Sequence, residues 1–167
     1  MPTWNEFAAE SPVLAEATLA RLTANRHHVL ATLRADGSPR VSGTEVNLVG
    51  EELILGSMAG AVKVSDLLRD PRFALHTNPG DSSMAGGDAK ISGIAVHITD
   101  PGWQRRIIDE LQAPEPCELF RFDLRQVVLT TIDAEMMYVQ SWTPTNGLQR
   151  WARSATDGTP VPVDPAG

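Results

Sequence analysis

Three apolar segments joined by two short turns constrain this chain more than any other feature. His28-Val29-Leu30-Ala31-Thr32-Leu33 reads as a strand. Ala35-Asp36-Gly37-Ser38-Pro39 follows, and its Asp-Gly pair supplies the positive φ that a tight hairpin needs. Arg40 to Leu48 returns as a second strand, with Val41, Gly43 and Glu45 on one face and Ser42, Thr44 and Val46 on the other. Gly50-Glu51 turns the chain again, and Glu52-Leu53-Ile54-Leu55 makes the third strand. Strands joined by turns this short pair antiparallel, because a parallel pair needs a crossover of about a dozen residues or more. The segment is therefore a meander and not a βαβ unit.

The rest of the chain extends this pattern. Residues 4–25 read as one helix, with Ser11 as N-cap, Pro12 at the first helical position and Leu14, Thr18 and Leu22 on one stripe. Trp4 and Phe7 are expected to pack back on this helix or on a partner chain. Arg72 to Thr77 is a fourth strand and Ala89 to Ile98 a longer one. Between them, residues 78–88 form the least structured internal stretch, a candidate mobile loop or a long hairpin tip. Asp100-Pro101 opens a helix with Trp103, Ile107, Ile108 and Leu111 on one face, closed by Pro114 and Pro116. Cys117 to Thr131 is rich in β-formers, Asp133-Ala134 turns the chain, and Met136 to Trp142 reads as the last strand. Beyond Thr143 the apolar periodicity ends. The reading is a single domain over 1–154 with an N-terminal helix, and a flexible tail over 155–167. Six or seven strands with two short helical insertions imply a closed or half-closed antiparallel barrel, mainly β.

Composition narrows the function classes. The net charge of −7 on 167 residues argues against nonspecific binding of nucleic acid or of an anionic membrane. No apolar run approaches the ~18 residues of a membrane span, and the N-terminus lacks a signal-peptide pattern. A single cysteine, Cys117, excludes an intrachain disulfide and a zinc-ribbon. These features read as a cytosolic protein. Cys117 is flanked by Pro116 and Glu118, and an acidic neighbour raises a thiol pKa, so it is expected to be inert. His27, His28, His76 and His97 show no paired spacing on one element, so no metal site is expected. Dinucleotide-binding, P-loop, nucleophile-elbow and zincin motifs are absent from the sequence.

One corner carries a specific chemistry. The third strand runs into Gly56-Ser57-Met58-Ala59-Gly60-Ala61, and Val64, Leu67 and Leu68 then fall at helical spacing until Pro71. A strand, a small loop and a helix start can hold an anion, because free backbone N–H groups and about half a positive charge face out of the first turn. Ser57 adds a hydroxyl and Lys63 a full charge. The expected ligand is a phosphate, most naturally that of a nucleotide-like cofactor.

Two runs in this region resemble one family. His28-Val29-Leu30-Ala31-Thr32-Leu33-Arg34-Ala35-Asp36-Gly37-Ser38-Pro39-Arg40-Val41-Ser42 resembles the opening hairpin of the pyridoxamine-phosphate-oxidase-like split-barrel flavoproteins, and Lys63-Val64-Ser65-Asp66-Leu67-Leu68-Arg69-Asp70-Pro71-Arg72 resembles their helix. Order and separation of the two are also similar, over roughly residues 28–151. Within the family, the chain looks like the actinobacterial branch that binds FMN or the related deazaflavin coenzyme. The resemblance implies a six-stranded antiparallel split barrel that dimerises, with the cofactor in a groove at the subunit interface. It places Arg40, Val41, Ser42, Gly43 and Thr44 along the ring system, Gly56, Ser57, Met58 and Lys63 at the phosphate, and Lys90 as a further candidate. The closing segment implies Trp142 as a flat apolar surface and Arg150 as a donor for an anion or carbonyl. The chain has Asp66 where family helices usually carry Asn, Val62 where many carry a second basic residue, and Gly43 where many carry proline.

Two functions follow from the resemblance. One is a flavin- or deazaflavin-dependent oxidoreductase acting on a small molecule, in which no side chain need be an obligate acid or base. The other is a non-enzymatic barrel that binds a cofactor or a tetrapyrrole.

Overall fold

The computed structural model describes residues 1–78, 86–154 and 156–164. Most of the stretch 78–88 read as a candidate mobile loop lies outside the described residues. The elements run α1 (Trp4–Glu10), α2 (Pro12–Ala24), β1 (His28–Leu33), β2 (Pro39–Thr44), β3 (Val46–Val49), β4 (Glu52–Met58) and α3 (Val62–Arg69). They continue β5 (Arg72–His76), β6 (Asp88–His97), α4 (Pro101–Leu111), β7 (Cys117–Asp133), β8 (Met136–Thr143), β9 (Gly147–Ser154) and β10 (Val161–Val163). Among the described residues no helix is long and apolar enough to cross a membrane.

The expected N-terminal helix is two helices. Ser11 sits at φ −138° and ψ 64°, outside the helical region. Pro12 has no N–H to return to the preceding turn and disfavours a helical Ser11, so the chain bends there. Thr3 and Glu6 close a capping box at the start of α1, with Thr3 N–H donating to Glu6 Oε2 at 2.8 Å. Trp4 and Phe7 meet edge to face, with ring centroids 5.3 Å apart, and share a core cluster with Leu14 and Leu22 of α2.

The strands join one antiparallel sheet in the order β10-β9-β8-β7-β6-β5-β1-β2, with β4 pairing both β3 and β7. The division of this sheet lies in β7. Its first part pairs β4, from Cys117 against Met58 to Arg121 against Ile54. Its second part pairs β8, from Val127 against Trp142 to Asp133 against Met136. β6 follows the other edge throughout, and its register shifts between Ser92 and Gly93. A bulge bends and twists a strand, and this one lies where β7 exchanges one partner for the other. The expected single strand over 40–48 is also broken, at Glu45, into β2 and β3, which lets the meander turn the barrel corner.

The described sheet has ten strands where six or seven were expected. β9 and β10 lie beyond Trp142, and Val161 to Val163 pair with Ala152 to Arg150, so part of the stretch read as a flexible tail is an edge strand. In β9 the apolar residues Leu148, Trp151 and Ala152 do not alternate with polar ones and only Ala152 is buried, so it carries no apolar stripe to recognise. Its start was nonetheless marked by Asn146-Gly147, a hairpin pair with Gly147 at φ 63°.

The barrel is filled by Leu30, Leu53, Leu55, Leu75, Ile91, Phe120 and Phe122, all 2% exposed or less. Phe73 stacks on Phe122 at 4.0 Å between centroids. α1 and α2 add Trp4, Phe7, Leu14 and Leu22 to the same core. α4 makes a second, smaller cluster, placing Ile107 against Ile54, Ile98 and Leu119.

Candidate functional site

A cavity of about 380 Å³ opens where the end of β2, the end of β4 and the start of α3 meet the connection from α4 to β7. That volume falls in the range of small-ligand sites. Six of the expected residues line it: Gly43, Thr44, Gly56, Ser57, Met58 and Lys63. β4 runs three residues further than expected, to Met58, and so brings Gly56, Ser57 and Met58 to the cavity. α3 begins at Val62, one residue after Ala61, whose side chain does not cap it. The first-turn N–H groups therefore lack the usual capping oxygen.

Lys63 sets the electrostatics. Its Nζ donates to the carbonyl of Gly43, and no ion pair among the described residues includes it. Burial pushes its pKa down, and Glu45 works against that from a distance. A half-buried ammonium held by one carbonyl is stabilised by an anion placed beside it. Glu45 lines the same cavity and is already paired. Its partners are Arg26 Nε at 3.0 Å and His27 Nε2 at 3.3 Å. Arg26, His27, Glu45 and the Leu111–Pro114 connection were not anticipated as lining residues. Position could have pointed to the first two, which immediately precede β1. Nothing local marks the connection, which reaches the cavity only through the packing of α4.

The remaining candidates are elsewhere. Arg40 turns to α3, where its Nε donates to Asp66 Oδ2 at 2.6 Å. Val41 is 70% exposed on the outer face of the sheet, and neither it nor Ser42 lines the cavity. Trp142, expected as a surface for a ring system, is fully buried. It packs on Phe7 at 4.8 Å and donates Nε1–H to Glu10 Oε2 at 3.0 Å, so it is a core residue of its own chain. Arg150 lies over the Tyr138 ring at 4.5 Å and lines neither cavity described here. Lys90 does not join Lys63. It pairs with Asp88 and donates to Thr130 Oγ1 at 3.1 Å at a second cavity.

Asp66 is the buried charge that the cavity wall is built on. It accepts from Thr32 Oγ1 at 2.9 Å, Arg40 at 2.6 Å and Arg69 Nη2 at 2.9 Å. Burial works to raise its pKa, but the hydrogen bonds from Arg69, Arg40 and Thr32 outweigh it and hold the carboxyl at about 2. Cys117, at the cavity edge, behaves as expected. Burial, Glu115 and Glu118 all push its thiol pKa up.

No family model matches the chain, and no curated protein matches it. Solved structures do. A Listeria innocua protein described as a candidate pyridoxamine 5'-phosphate oxidase superposes with a TM-score of 0.58 at 16% identity, over 68% of this chain and 95% of its own. The fold is the pyridoxamine-phosphate-oxidase-like split barrel. Other proteins with this split barrel differ in what they bind. The haem storage protein HutZ of Vibrio cholerae matches with a TM-score of 0.52 at 18% identity, over 72% of this chain and 94% of its own. A haem-binding protein from Mycobacterium smegmatis matches with a TM-score of 0.50 at 12% identity, over 95% of this chain and 91% of its own.

Proposed function

We propose that this split barrel is an oxidoreductase that holds FMN or the deazaflavin coenzyme by its phosphate end in the cavity beside α3. The observation that carries the reading is Lys63, a half-buried cation with no carboxylate partner among the described residues, facing a cavity of ligand size. Ser57 and the uncapped first turn of α3 supply further donors to the same anion. When bound, such a cofactor supplies hydride chemistry. The chain's own part is to fix the phosphate and to present the backbone of Gly43 and Gly56, which carry no side chain to keep a ligand at a distance.

The homodimer belongs to the same reading. Met58 and Val62 are 72% and 57% exposed at the cavity's edge, and a second copy laid over them would close its open side. A small-molecule substrate would then enter a groove between subunits, in the cytoplasm. The test is a titration of purified protein with FMN and with the deazaflavin coenzyme, followed by fluorescence quenching. Saturable binding of either supports the reading, and failure to bind both overturns it.

A second reading, non-enzymatic tetrapyrrole binding, is favoured by the haem-binding proteins that share the fold and by a histidine outside the first cavity.

A further inference from the structure

We propose that His76 is an axial imidazole ligand for an iron porphyrin seated on the outer face of β1, β5, β6 and β7. The proposal rests on the tetrapyrrole reading and gives it a residue and a place.

A second cavity, of about 310 Å³, lies on that face. Strand register arranges its lining in two rows. Val29, His76, Lys90 and Val128 stand opposite one another across four strands, and Ala31, Ala74, Ser92 and Gln126 form the next row on the same face. Ala31 against Ala74 keeps the middle low, while Val29 and Val128 bound it with apolar walls. Three interstrand gaps of about 4.8 Å make a shallow platform about 14 Å wide, on the scale of a planar macrocycle.

The histidine is set for ligation. A carbonyl oxygen can only accept, so the 2.6 Å contact between His76 Nδ1 and Thr77 O places the proton on Nδ1. The neutral ring then keeps its lone pair on Nε2. A backbone carbonyl that orients the ring and raises its basicity is the usual outer partner of a metal-bound imidazole. Asp88 Oδ1 stands 3.8 Å from Nε2, beyond hydrogen-bond range. Lys90 draws that carboxylate away, and donates also to Thr130. An ammonium has three protons, so one remains for a carboxylate on the ligand's edge.

The other histidines are differently engaged. His28 is buried, with Nε2 at 3.1 Å from Leu22 O and Nδ1 accepting from Asn78 N–H at 3.3 Å. His97 Nε2 lies 2.8 Å from Glu118, and His27 Nε2 lies 3.3 Å from Glu45. A porphyrin iron needs only one or two protein ligands, which suits an isolated histidine. No cluster of three His, Cys, Asp or Glu among the described residues could hold a bare ion.

The experiment is a titration of the full chain with ferric protoporphyrin, read by the Soret band and by electron paramagnetic resonance. The expected result is saturation at one per chain with an imidazole-ligated spectrum. His76→Ala should lose that spectrum and weaken binding at least tenfold. His76→Gly should regain the spectrum when free imidazole is added, which a merely misfolded variant cannot do. His97→Ala, at a histidine that lines neither cavity, should leave the spectrum and the affinity unchanged. Saturable binding with the His76→Ala spectrum unchanged overturns the ligand assignment and leaves the tetrapyrrole reading standing. No saturable binding by the unmodified chain overturns both.

Discussion

Arg40 donates its Nε–H to Asp66 Oδ2 at 2.6 Å, and this contact ties the first hairpin to α3. Arg69 and Thr32 complete the shell around the same carboxylate. Removing one partner of a buried pair strands the other charge, at a cost of about 3–5 kcal/mol. Asp66→Ala should therefore lose stability in urea unfolding, by less than that, since the Arg40 and Arg69 it strands are 23% and 40% exposed. It should also weaken any ligand held by Lys63, since α3 loses its tether to β2.

The same carboxyl predicts an acid limb. Its native pKa of about 2 lies below the ordinary 3.8, so the unfolded chain binds protons more readily in that interval. The stabilisation is complete above about pH 4 and is lost as the pH falls through 2. Asp70, held at about 2 by Arg72, titrates in the same window. Asp66→Asn should flatten the limb between pH 4 and 2 without abolishing it, measured by unfolding free energy against pH.

His28 predicts a second and milder limb. Burial pushes its pKa down, the bond to Leu22 O resists this, and His27 adds to the fall. Both ring nitrogens already have partners, and a second ring proton would face the N–H of Asn78. The native state is then the poorer proton binder, so stability declines as the pH falls from about 6.5 through the lower native value. Comparison of the wild type with His28→Gln at pH 7.5 and 5.5 checks this. The variant should show the smaller decline.

The hairpin and the helix over 62–69 were legible because each rests on local chemistry: Asp36-Gly37 for the turn, and Val64 and Leu67 against Pro71 for the helix. The strands from β1 to β8 were legible for the same reason, with β2 and β3 read as one, whereas β9 and β10 were not. The role of Asp66 was not, because its partners Thr32 and Arg40 come from other strands and only the assembled corner brings three donors to one carboxylate. Ser57 and Lys63 were found together because strand, loop and helix are contiguous there. Trp142 misled because an aromatic residue at the end of a strand reads the same whether its ring faces solvent or Phe7. Lys90 was placed on the correct strand, but register sends its side chain to the outer face, beside His76 and Asp88.

Lys63 should separate binding from folding. Its charge is half-buried, and burial already disfavours it, so Lys63→Met should leave unfolding free energy within about 1 kcal/mol of the wild type. Loss of a charge-assisted bond to phosphate costs about 1.5–3 kcal/mol. Affinity for FMN or the deazaflavin coenzyme should therefore fall by roughly ten- to a hundredfold. An unchanged affinity would remove Lys63 from the phosphate site.

Gly93 tests the division of the sheet itself. It sits at the register shift between β6 and β7, and a Cβ added there would lie 1.9 Å from the carbonyl oxygen of Asp123. That oxygen is backbone, in the stretch of β7 between its pairings with β4 and β8, so it cannot swing aside as a side chain would. Relief requires β6 to lift from β7 where β7 passes from β4 to β8. Gly93→Ala should reach or exceed the top of the usual overpacking range of about 1–3 kcal/mol. Gly43→Ala is the control, since its Cβ meets nothing within 4 Å. It should cost little stability. Equal unfolding free energies for the two variants would mean that β6 and β7 are not held together at the bulge as tightly as their register requires.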